Sequence, residues 1–349
     1  MNRLRILLTF WLFSLPILSP AQEVFESDEG TFTTSKLTNK MEIGLNNRLI
    51  IRAAANLPGE VKLSTSLSKD ISITYLKKAK AEDKHQAIDY IDLIAVVLDK
   101  TIDGVRLEMR APNPAPWSGD SEWGMVEVVI NVPEKCFVDI EAPQFDVDAV
   151  GPFKGLVIAP SLGKVDVSSV LEKLEVATSN RRVNVSDISG EISISTTNAS
   201  LTAKNLVSIG RRCQIENEHG DIRIDGFAGE IEVENSYGRI HITSFRARGS
   251  RNVIRSMSGP IMLDINELVD TQLRITNRFE DVEINLPENT SASLSLAVDQ
   301  GGKIEVSNLD VKPELIEQNR MNLVAGKGTS IITSSVRGSG NIYVRGSND

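Results

Sequence analysis

Residues 213–242 read CQIENEHGDIRIDGFAGEIEVENSYGRIHI and contain one pattern twice. Alternation of apolar and polar residues with a period of two is typical of a β-strand with one buried face. Each copy therefore predicts two short strands, whose apolar pairs lie nine residues apart. The pairs are Cys213/Ile215 with Ile222/Ile224 in the first copy and Ile231/Val233 with Ile240/Ile242 in the second.

The same unit extends in both directions from this stretch. The leading pairs end at positions that lie 18 or 21 residues apart, and the offset of nine within each unit never varies. Because no unit can bury its apolar strand faces alone, successive units must stack. The pattern predicts an all-β fold, a single-stranded parallel β-helix (β-solenoid), with neighbouring strands about 4.8 Å apart. The leading pairs end at residues 140, 158, 176, 194, 215, 233, 254 and 275.

Two further columns of residues keep the same register and predict the corners of the coils. Glycine recurs five residues after the leading pair, where a tight corner needs a positive φ. Small polar residues recur two residues after the pair, and they either form an internal hydrogen-bonded ladder or simply favour turns. The glycines are Gly163, Gly220, Gly238 and Gly259. The polar residues are Thr178, Thr196, Asn217, Asn235, Ser256 and Asn277.

The chain begins with the pattern of a secretory signal peptide, predicted as 1–21. Arg3 and Arg5 precede an apolar run over 6–18, and small residues end at Ala21. This run is shorter than a membrane span, although an uncleaved anchor is the alternative. No second long apolar run follows, so no transmembrane segment is expected after cleavage.

The rest of the chain divides into two predicted parts. Residues 22–135 form an N-terminal cap with irregular first coils, and 136–349 form the repeat β-helix with a closing strand. Within the cap, 77–89 suits a short helix or an exposed excursion, and 91–98 suits a strand.

The same reading predicts the end of the repeat. Leu294/Leu296 and Ile304/Val306 continue the stack, and 311–320 is a polar insertion. The closing strand is Ile342–Val344.

The net charge and the two cysteines of the chain allow two further predictions. The formal net charge of −9 becomes −11 without Arg3 and Arg5, which argues against nucleic-acid binding. The two cysteines, Cys136 and Cys213, are four coils apart by register, roughly 19 Å. A disulfide needs Cα atoms within about 7 Å, so both are predicted to be buried free thiols.

Several motifs resemble the bacterial exported β-helix domain called the putative adhesin family. They are the segment Val128–Pro133, the units Gly220–Ile224 and Gly238–Ile242, and the closing Gly340–Val344. The resemblance covers most of the chain after the signal peptide. It implies a right-handed β-helix at the cell envelope or surface, and it offers no catalytic residues to carry over.

No catalytic or metal-binding motif is found in the sequence. The three histidines lack ligand spacing, and there is no Cys-x-x-Cys, nucleophile elbow or phosphate loop. A polysaccharide lyase or hydrolase, the enzymatic alternative, needs carboxylates held across a groove. The outward Glu175, Glu232 and Glu283 are not on adjacent coils. We therefore expect no enzyme, no cofactor and no metal.

One further column, four residues after the leading pair, is a candidate ligand strip. It is expected to line one corner of the stack, where amides beside exposed rings can bind a sugar or a peptide. The alternative is a row of ordinary turn residues. The column comprises Asn180, Asn198, His219, Tyr237, Ser258 and Phe279, of which Asn198, His219, Tyr237 and Phe279 are the predicted ligand-binding residues.

Three functions from different classes follow. The first is a non-catalytic envelope or surface protein, adhesin-like, acting in adhesion or assembly. The second is a carbohydrate-binding or scaffolding module on envelope polymers, and the third is the glycan-active enzyme. The expected partners are envelope or host glycans or a surface protein, with the chain in the periplasm or outside the cell. A ridge of rings and amides would favour the second, and stacked carboxylates the third.

Overall fold

The computed structural model describes residues 23–28, 30–44, 46–117 and 121–347. The predicted signal peptide, 1–21, lies outside the described residues. All strands in the described ranges belong to one hydrogen-bonded sheet of 29 strands, and the helix there has 10 residues. The all-β prediction is confirmed.

The elements have the following bounds in chain order. The strands are β1 Val24–Asp28, β2 Thr31–Thr34, β3 Leu37–Glu42, β4 Arg48–Ala53, β5 Gly59–Ser66, β6 Asp70–Lys80, β7 Ala95–Thr101, β8 Gly104–Arg110, β9 Trp123–Pro133, β10 Phe137–Glu141, β11 Phe145–Ser161, β12 Val165–Thr178, β13 Val183–Ser189, β14 Glu191–Thr196, β15 Leu201–Ser208, β16 Cys213–His219, β17 Ile222–Gly229, β18 Glu232–Tyr237, β19 Ile240–Arg248, β20 Asn252–Ser258, β21 Ile261–Val269, β22 Gln272–Asn277, β23 Val282–Pro287, β24 Ala292–Val298, β25 Ile304–Ser307, β26 Val311–Ile316, β27 Arg320–Ala325, β28 Ser330–Val336 and β29 Ile342–Ser347. The helix α1, Lys84–Leu93, lies between β6 and β7.

Strand pairing winds the chain into stacked coils, each of which adds a strand to two parallel ladders. Like strands pair in register, as Ile215 does with Val233 and Ile224 with Ile242. This confirms the stack of parallel strands that the repeat predicts. The first ladder runs β8, β4, β10, β11, β12, β14, β16, β18, β20, β22, β28, β24. The second runs β9, β5, β11, β12, β13, β15, β17, β19, β21, β23, β29, β25.

The core lies between the ladders and is built from columns of aliphatic side chains. Ile222, Ile240 and Ile261 are register partners in successive coils, and each is fully buried. Burying one such side chain contributes roughly 1.5–3 kcal/mol, so the repetition of the column stabilises the whole stack. The apolar positions of the repeat are therefore its core positions.

Five successive coils also have a third inward column, which the two-strand prediction missed. Two residues after the apolar pair of the second strand, the backbone bends through a left-handed residue, and the next side chain points back into the core. The bending residues are Ser169, Asp187, Asn205, Gly226 and Ser244, with φ of 61°, 57°, 53°, 81° and 53°. The buried residues that follow them are Val170, Ile188, Leu206, Phe227 and Phe245.

The polar column at the first corner forms an internal ladder, which is one of the two roles predicted for it. All six of its residues are buried. The Asn235 amide donates to the carbonyls of Gly220, 2.9 Å away in the preceding coil, and Gly238, 3.1 Å away in its own coil. Asn217 makes the same two kinds of contact, at 2.9 and 3.0 Å. The ladder thus satisfies corner carbonyls and ties adjacent coils together.

The corner glycines are required for two different reasons. Gly220 and Gly238 have φ of +115° and +117°, as the sequence predicts. The prediction of positive φ is wrong for Gly163 and Gly259, which are absent from the positive-φ residues. A Cβ at Gly259 would lie 1.8 Å from the carbonyl oxygen of Gly238, so close approach of the coils excludes a side chain there.

Antiparallel strands and α1 cover the N-terminal end of the stack. β7 pairs with β8, and β6 pairs with β9, so neither strand of the outermost coil at this end has an unpaired edge. The helix begins at 84 rather than 77, because Asp83 caps it by accepting from the Gln86 backbone N–H at 2.9 Å.

The prediction of a strand over 91–98 is wrong for its first residues. Ile91 belongs to α1 and packs in a small core with Phe32 and Tyr90. The side chain of Lys77 is buried under the helix and donates to the Ile91 carbonyl at 3.1 Å. Burial lowers the pKa of this lysine.

At both ends, the order of the coils differs from the order of the chain. The strand that leads into the repeat, β9, does not lie beside it, because β5 lies between β9 and β11. At the other end, β28 pairs with both β22 and β24, and β29 with both β23 and β25. The last strands of the chain are therefore inserted into the stack.

Two predictions for the C-terminal part of the repeat are therefore wrong in part. Leu294/Leu296 and Ile304/Val306 do form a coil, but it is the outer one and does not follow the unit that ends at Ile284. The polar segment 311–320 contains β26, which pairs antiparallel with β27. That hairpin continues the sheet beyond β24.

The two cysteines are buried free thiols, four ladder steps apart. Burial raises the pKa of Cys136 from 9.0 to about 12 and also raises that of Cys213. The predicted boundary at residue 135 falls between β9 and β10, two strands of the same sheet. The domain division stays a prediction.

Candidate functional site

The corner strip, defined as Asn180, Asn198, His219, Tyr237, Ser258 and Phe279, follows the strands of the first ladder. His219 and Tyr237 end β16 and β18 and are register partners, and Tyr237 is in turn the partner of Ser258. The parallel ladder therefore sets the spacing of the strip. The sequence register placed these residues in the correct coils.

Two rings of the strip lie against each other. The centroids of His219 and Tyr237 are 4.9 Å apart, and their planes differ by 12°. This distance matches the spacing of neighbouring strands, about 4.8 Å, so the stack of coils also stacks the rings. The His219 backbone N–H donates to the Thr197 carbonyl at 2.7 Å, which fixes the corner below the ring.

Two amides of the strip are also in contact. The Asn198 side chain donates to the Asn180 side-chain oxygen at 3.2 Å, and both residues are exposed. Asn198 lies one coil from His219, since Thr196 and Asn217 are register partners. The structure thus brings together three of the four predicted ligand-binding residues, Asn198, His219 and Tyr237.

Phe279, the fourth predicted residue, stands apart from the ring pair. Ser258 occupies the coil between Tyr237 and Phe279. Both rings are nearly half exposed, at 47% and 45%. The guanidinium of Arg278 lies 5.0 Å from the centroid of the Phe279 ring.

The sequence did not reveal that Arg337 lies beside Arg278, the neighbour of Phe279 in the chain. The Arg337 backbone N–H donates to the Asn277 carbonyl at 3.1 Å, which places it next to Arg278 in the following coil. In the described ranges, neither arginine forms an ion pair with a carboxylate. Chain order would have placed Asp299 beside Arg278, and only the inserted β28 brings in Arg337.

The outward carboxylates are dispersed, as the sequence predicts. In the ladders, Glu232 lies between Gln214 and Val253, and Arg255 pairs with it at 3.1 Å. Glu283 is paired with Arg345. Within the described part of the chain, no group of three or more His, Cys, Asp or Glu side chains could hold a metal ion.

Comparison with known families identifies the fold. Residues 54–335 match the family model described as Toastrack DUF4097. The chain belongs to the Toastrack DUF4097 family. The Toastrack fold is solenoid-like and all-β, in agreement with the ladders of this chain.

Three solved structures are similar to this Toastrack chain, all at low identity. A putative cell adhesion protein from Clostridium sporogenes is 11% identical with a TM-score of 0.20, over 89% of this chain and 99% of its own. A putative adhesin from Parabacteroides merdae is 12% identical with a TM-score of 0.37, over 88% and 95%. A putative adhesin from Bacteroides fragilis is 9% identical with a TM-score of 0.26, over 88% and 96%.

No curated protein matches the chain. In the ranges that the structure covers, no helix has the length and apolar content that a membrane crossing needs.

Proposed function

We propose that this Toastrack protein is a non-catalytic, adhesin-like recognition protein of the cell envelope or cell surface, which binds glycan through its corner strip. The signal peptide 1–21 exports it, and the coils wind in the right-handed sense. The observation that supports this most is the stacked pair of exposed rings, His219 and Tyr237, held in register with the amides of Asn180 and Asn198.

The physical basis is preorganisation. Aromatic rings offer apolar surface to the C–H groups of a sugar, while amides exchange hydrogen bonds with its hydroxyl groups. His219, Tyr237 and Ser258 end strands of the first ladder, so little conformational entropy is lost there when a ligand binds. Asn180, Asn198 and Phe279 lie two residues beyond the ends of such strands. A periodic strip also suits a polymeric ligand, because successive coils repeat the same position.

The test is binding to a panel of envelope and host glycans by the purified protein. The variant H219A/Y237A/F279A removes the three rings. A matched control, L67A/I102A/I316A, removes three exposed apolar side chains elsewhere, which are 91%, 96% and 64% exposed. Circular dichroism checks that all forms keep the β-fold.

We expect saturable binding by the parent and the control, and at least tenfold weaker binding by the ring variant. Equal binding by all three proteins, or no binding to any glycan, would overturn the proposal. In the second case, a protein partner becomes the hypothesis to pursue.

A further inference from the structure

A trough lies on another side of the stack, at the start of the first-ladder strands near the N-terminal end. It consists of two cavities, of about 780 and 440 Å³, that share Phe137, Lys154, Leu171 and Glu172 in their walls. The shared residues make the two cavities one continuous depression. No residue of the corner strip lines it.

The trough runs along the stacking direction. Its walls include Arg48, Phe137, Lys173 and Glu191, which follow one another in the ladder, with Gly155 between Phe137 and Lys173. Four ladder steps correspond to roughly 19 Å. Such a length fits several residues of an extended polymer rather than one compact small molecule.

The walls of the trough are less acidic than the protein as a whole, and their basic residues Arg48 and Lys173 are paired with Asp139 and Glu175 outside the walls, at 3.1 and 3.0 Å. The chain carries a formal net charge of −9, but the walls have more basic than acidic side chains. The basic ones are Arg48, Lys135, Lys154, Lys173 and Arg211, and the acidic ones are Asp103, Glu172 and Glu191.

Two of these cations are available to a ligand. Lys135 and Arg211 are exposed, and neither forms an ion pair within the described ranges. They belong to coils four steps apart, near opposite ends of the trough. Lys154 is only loosely paired, with its nitrogen 3.9 Å from a Glu172 carboxylate oxygen. An anion could therefore be neutralised here without breaking a tight ion pair.

Apolar surface lies between the cations. Leu171 is 41% exposed, and the Phe137 ring forms part of the wall under the guanidinium of Arg48, 5.2 Å from the ring centroid. Apolar patches between separated charges match a sugar chain with acidic groups. They match a nucleic acid less well, since single-strand binding uses several stacking rings in a strongly basic groove.

We propose that the trough binds a linear glycan carrying carboxylate groups. Lys135 and Arg211 hold two of its carboxylates, and Phe137 and Leu171 contact the sugar faces between them. This site is separate from the corner strip and goes beyond the function proposed for it.

The test measures binding of a fluorescently labelled hexagalacturonate by anisotropy. The variant K135Q/R211Q removes the two available cations of the trough. The control K312Q/R320Q removes one lysine and one arginine that are also exposed, at the C-terminal hairpin. A second variant, H219A/Y237A, removes the ring pair of the corner strip.

We expect saturable binding that weakens as salt is added, and at least tenfold weaker binding by K135Q/R211Q. The hairpin control should bind as the parent does. H219A/Y237A should keep the salt-sensitive binding that K135Q/R211Q loses, and neutral cellohexaose should not compete with that binding. These results would support the trough whether or not the strip binds neutral glycans.

Other results would overturn the inference. They are the absence of hexagalacturonate binding, equal loss in K135Q/R211Q and the hairpin control, or competition by cellohexaose. Loss in H219A/Y237A alone would assign the acidic glycan to the corner strip, which supports the proposed function but not the trough. Stronger binding of a single-stranded oligonucleotide would replace the glycan by a nucleic acid.

Discussion

At the scale of single residues, the polar ladder shows how a solenoid keeps polar groups inside. A corner bends the backbone away from its strand partners, so buried carbonyls there need another donor. The asparagines supply this donor, because one side-chain amide nitrogen donates to carbonyls of two neighbouring coils. The side-chain oxygens of Asn217 and Asn235 are buried without a partner in the described residues, so the ladder has a cost as well.

We predict that Asn235→Ala lowers the free energy of unfolding by about 1–3 kcal/mol, because the Gly238 carbonyl loses its side-chain donor and the Gly220 carbonyl keeps only the donor from Asn217. Urea unfolding followed by circular dichroism measures it. The matched control is Asn198→Ala on the exposed corner strip, which should change the stability by less than about 0.5 kcal/mol. Equal midpoints for the two variants would contradict the role of the ladder.

The buried thiol of Cys136 gives a prediction about pH. Its pKa is raised from 9.0 to about 12, so the unfolded chain loses this proton first as the pH rises. The contribution of the thiol to stability is complete below pH 9 and falls by about 1.4 kcal/mol per pH unit from there to about pH 12.

The measurement compares the parent protein with Cys136→Ala. The difference between their unfolding free energies should shrink by about 1.4 kcal/mol between pH 8 and pH 10, since other titrating groups are common to both. A difference that does not change with pH would mean that the thiol is ionised as easily in the folded protein as in the unfolded chain.

At the scale of the element, a bend within the second strand shapes five of the coils. Its residues sit in the left-handed region, which asparagine, aspartate and glycine tolerate better than other residues. The bend turns the chain and brings Leu206, Phe227 and Phe245 into the core. The Asn205 side chain also donates to Asp187 of the preceding coil at 3.0 Å. The bend recurs in five successive coils and is absent from β21, where the register shifts against β19.

We predict that Asn205→Val destabilises the protein by about 1–3 kcal/mol, because a β-branched residue is strained at a φ of 53°. Asn205→Gly should cost less than half of this. A valine at Ser195, an exposed strand residue, is the control and should be nearly neutral. Thermal or urea unfolding separates the three. Equal stabilities of the valine and glycine variants at 205 would argue against a strained bend.

At the scale of the whole molecule, the insertion of the last coil determines which strands are protected from hydrogen exchange. β28 and β29 end the chain, yet each is paired on both sides. β25 and β26 come earlier in the chain, and each is paired on one side only within the described residues. Pro313 has no backbone N–H and Lys312 carries a charge, so both residues disfavour pairing of the exposed β26 edge with other chains.

We predict that amide hydrogens of 330–336 and 342–347 exchange more slowly than those of 304–307 and 311–316. Buried strands with two partners open only by larger unfolding events, whereas edge strands open locally. Hydrogen exchange followed by mass spectrometry measures this, with β20 as an interior reference. Protection that falls steadily towards the C-terminus would mean that the last strands lie at the end of the stack.

The strands of the repeat, their register of 18 or 21 residues, the core columns and the position of the polar column could all be predicted from the sequence. These features depend on the alternation of side chains along a strand and on residues at fixed offsets, which are local properties. They were enough to place Asn198, His219 and Tyr237 in adjacent coils. The bends were also present in the sequence, as Asp187, Asn205 and Gly226 at one offset.

The order of the coils at the two ends could not be predicted from the sequence, and neither could the neighbours of Phe279 or the walls of the trough. A parallel strand pairs equally well with any strand of matching pattern, so local alternation does not specify which coil lies beside which. That choice depends on which edges the rest of the chain leaves open. For this reason Arg337 lies beside Arg278, and Arg48 beside Phe137, although neither pair is close in sequence.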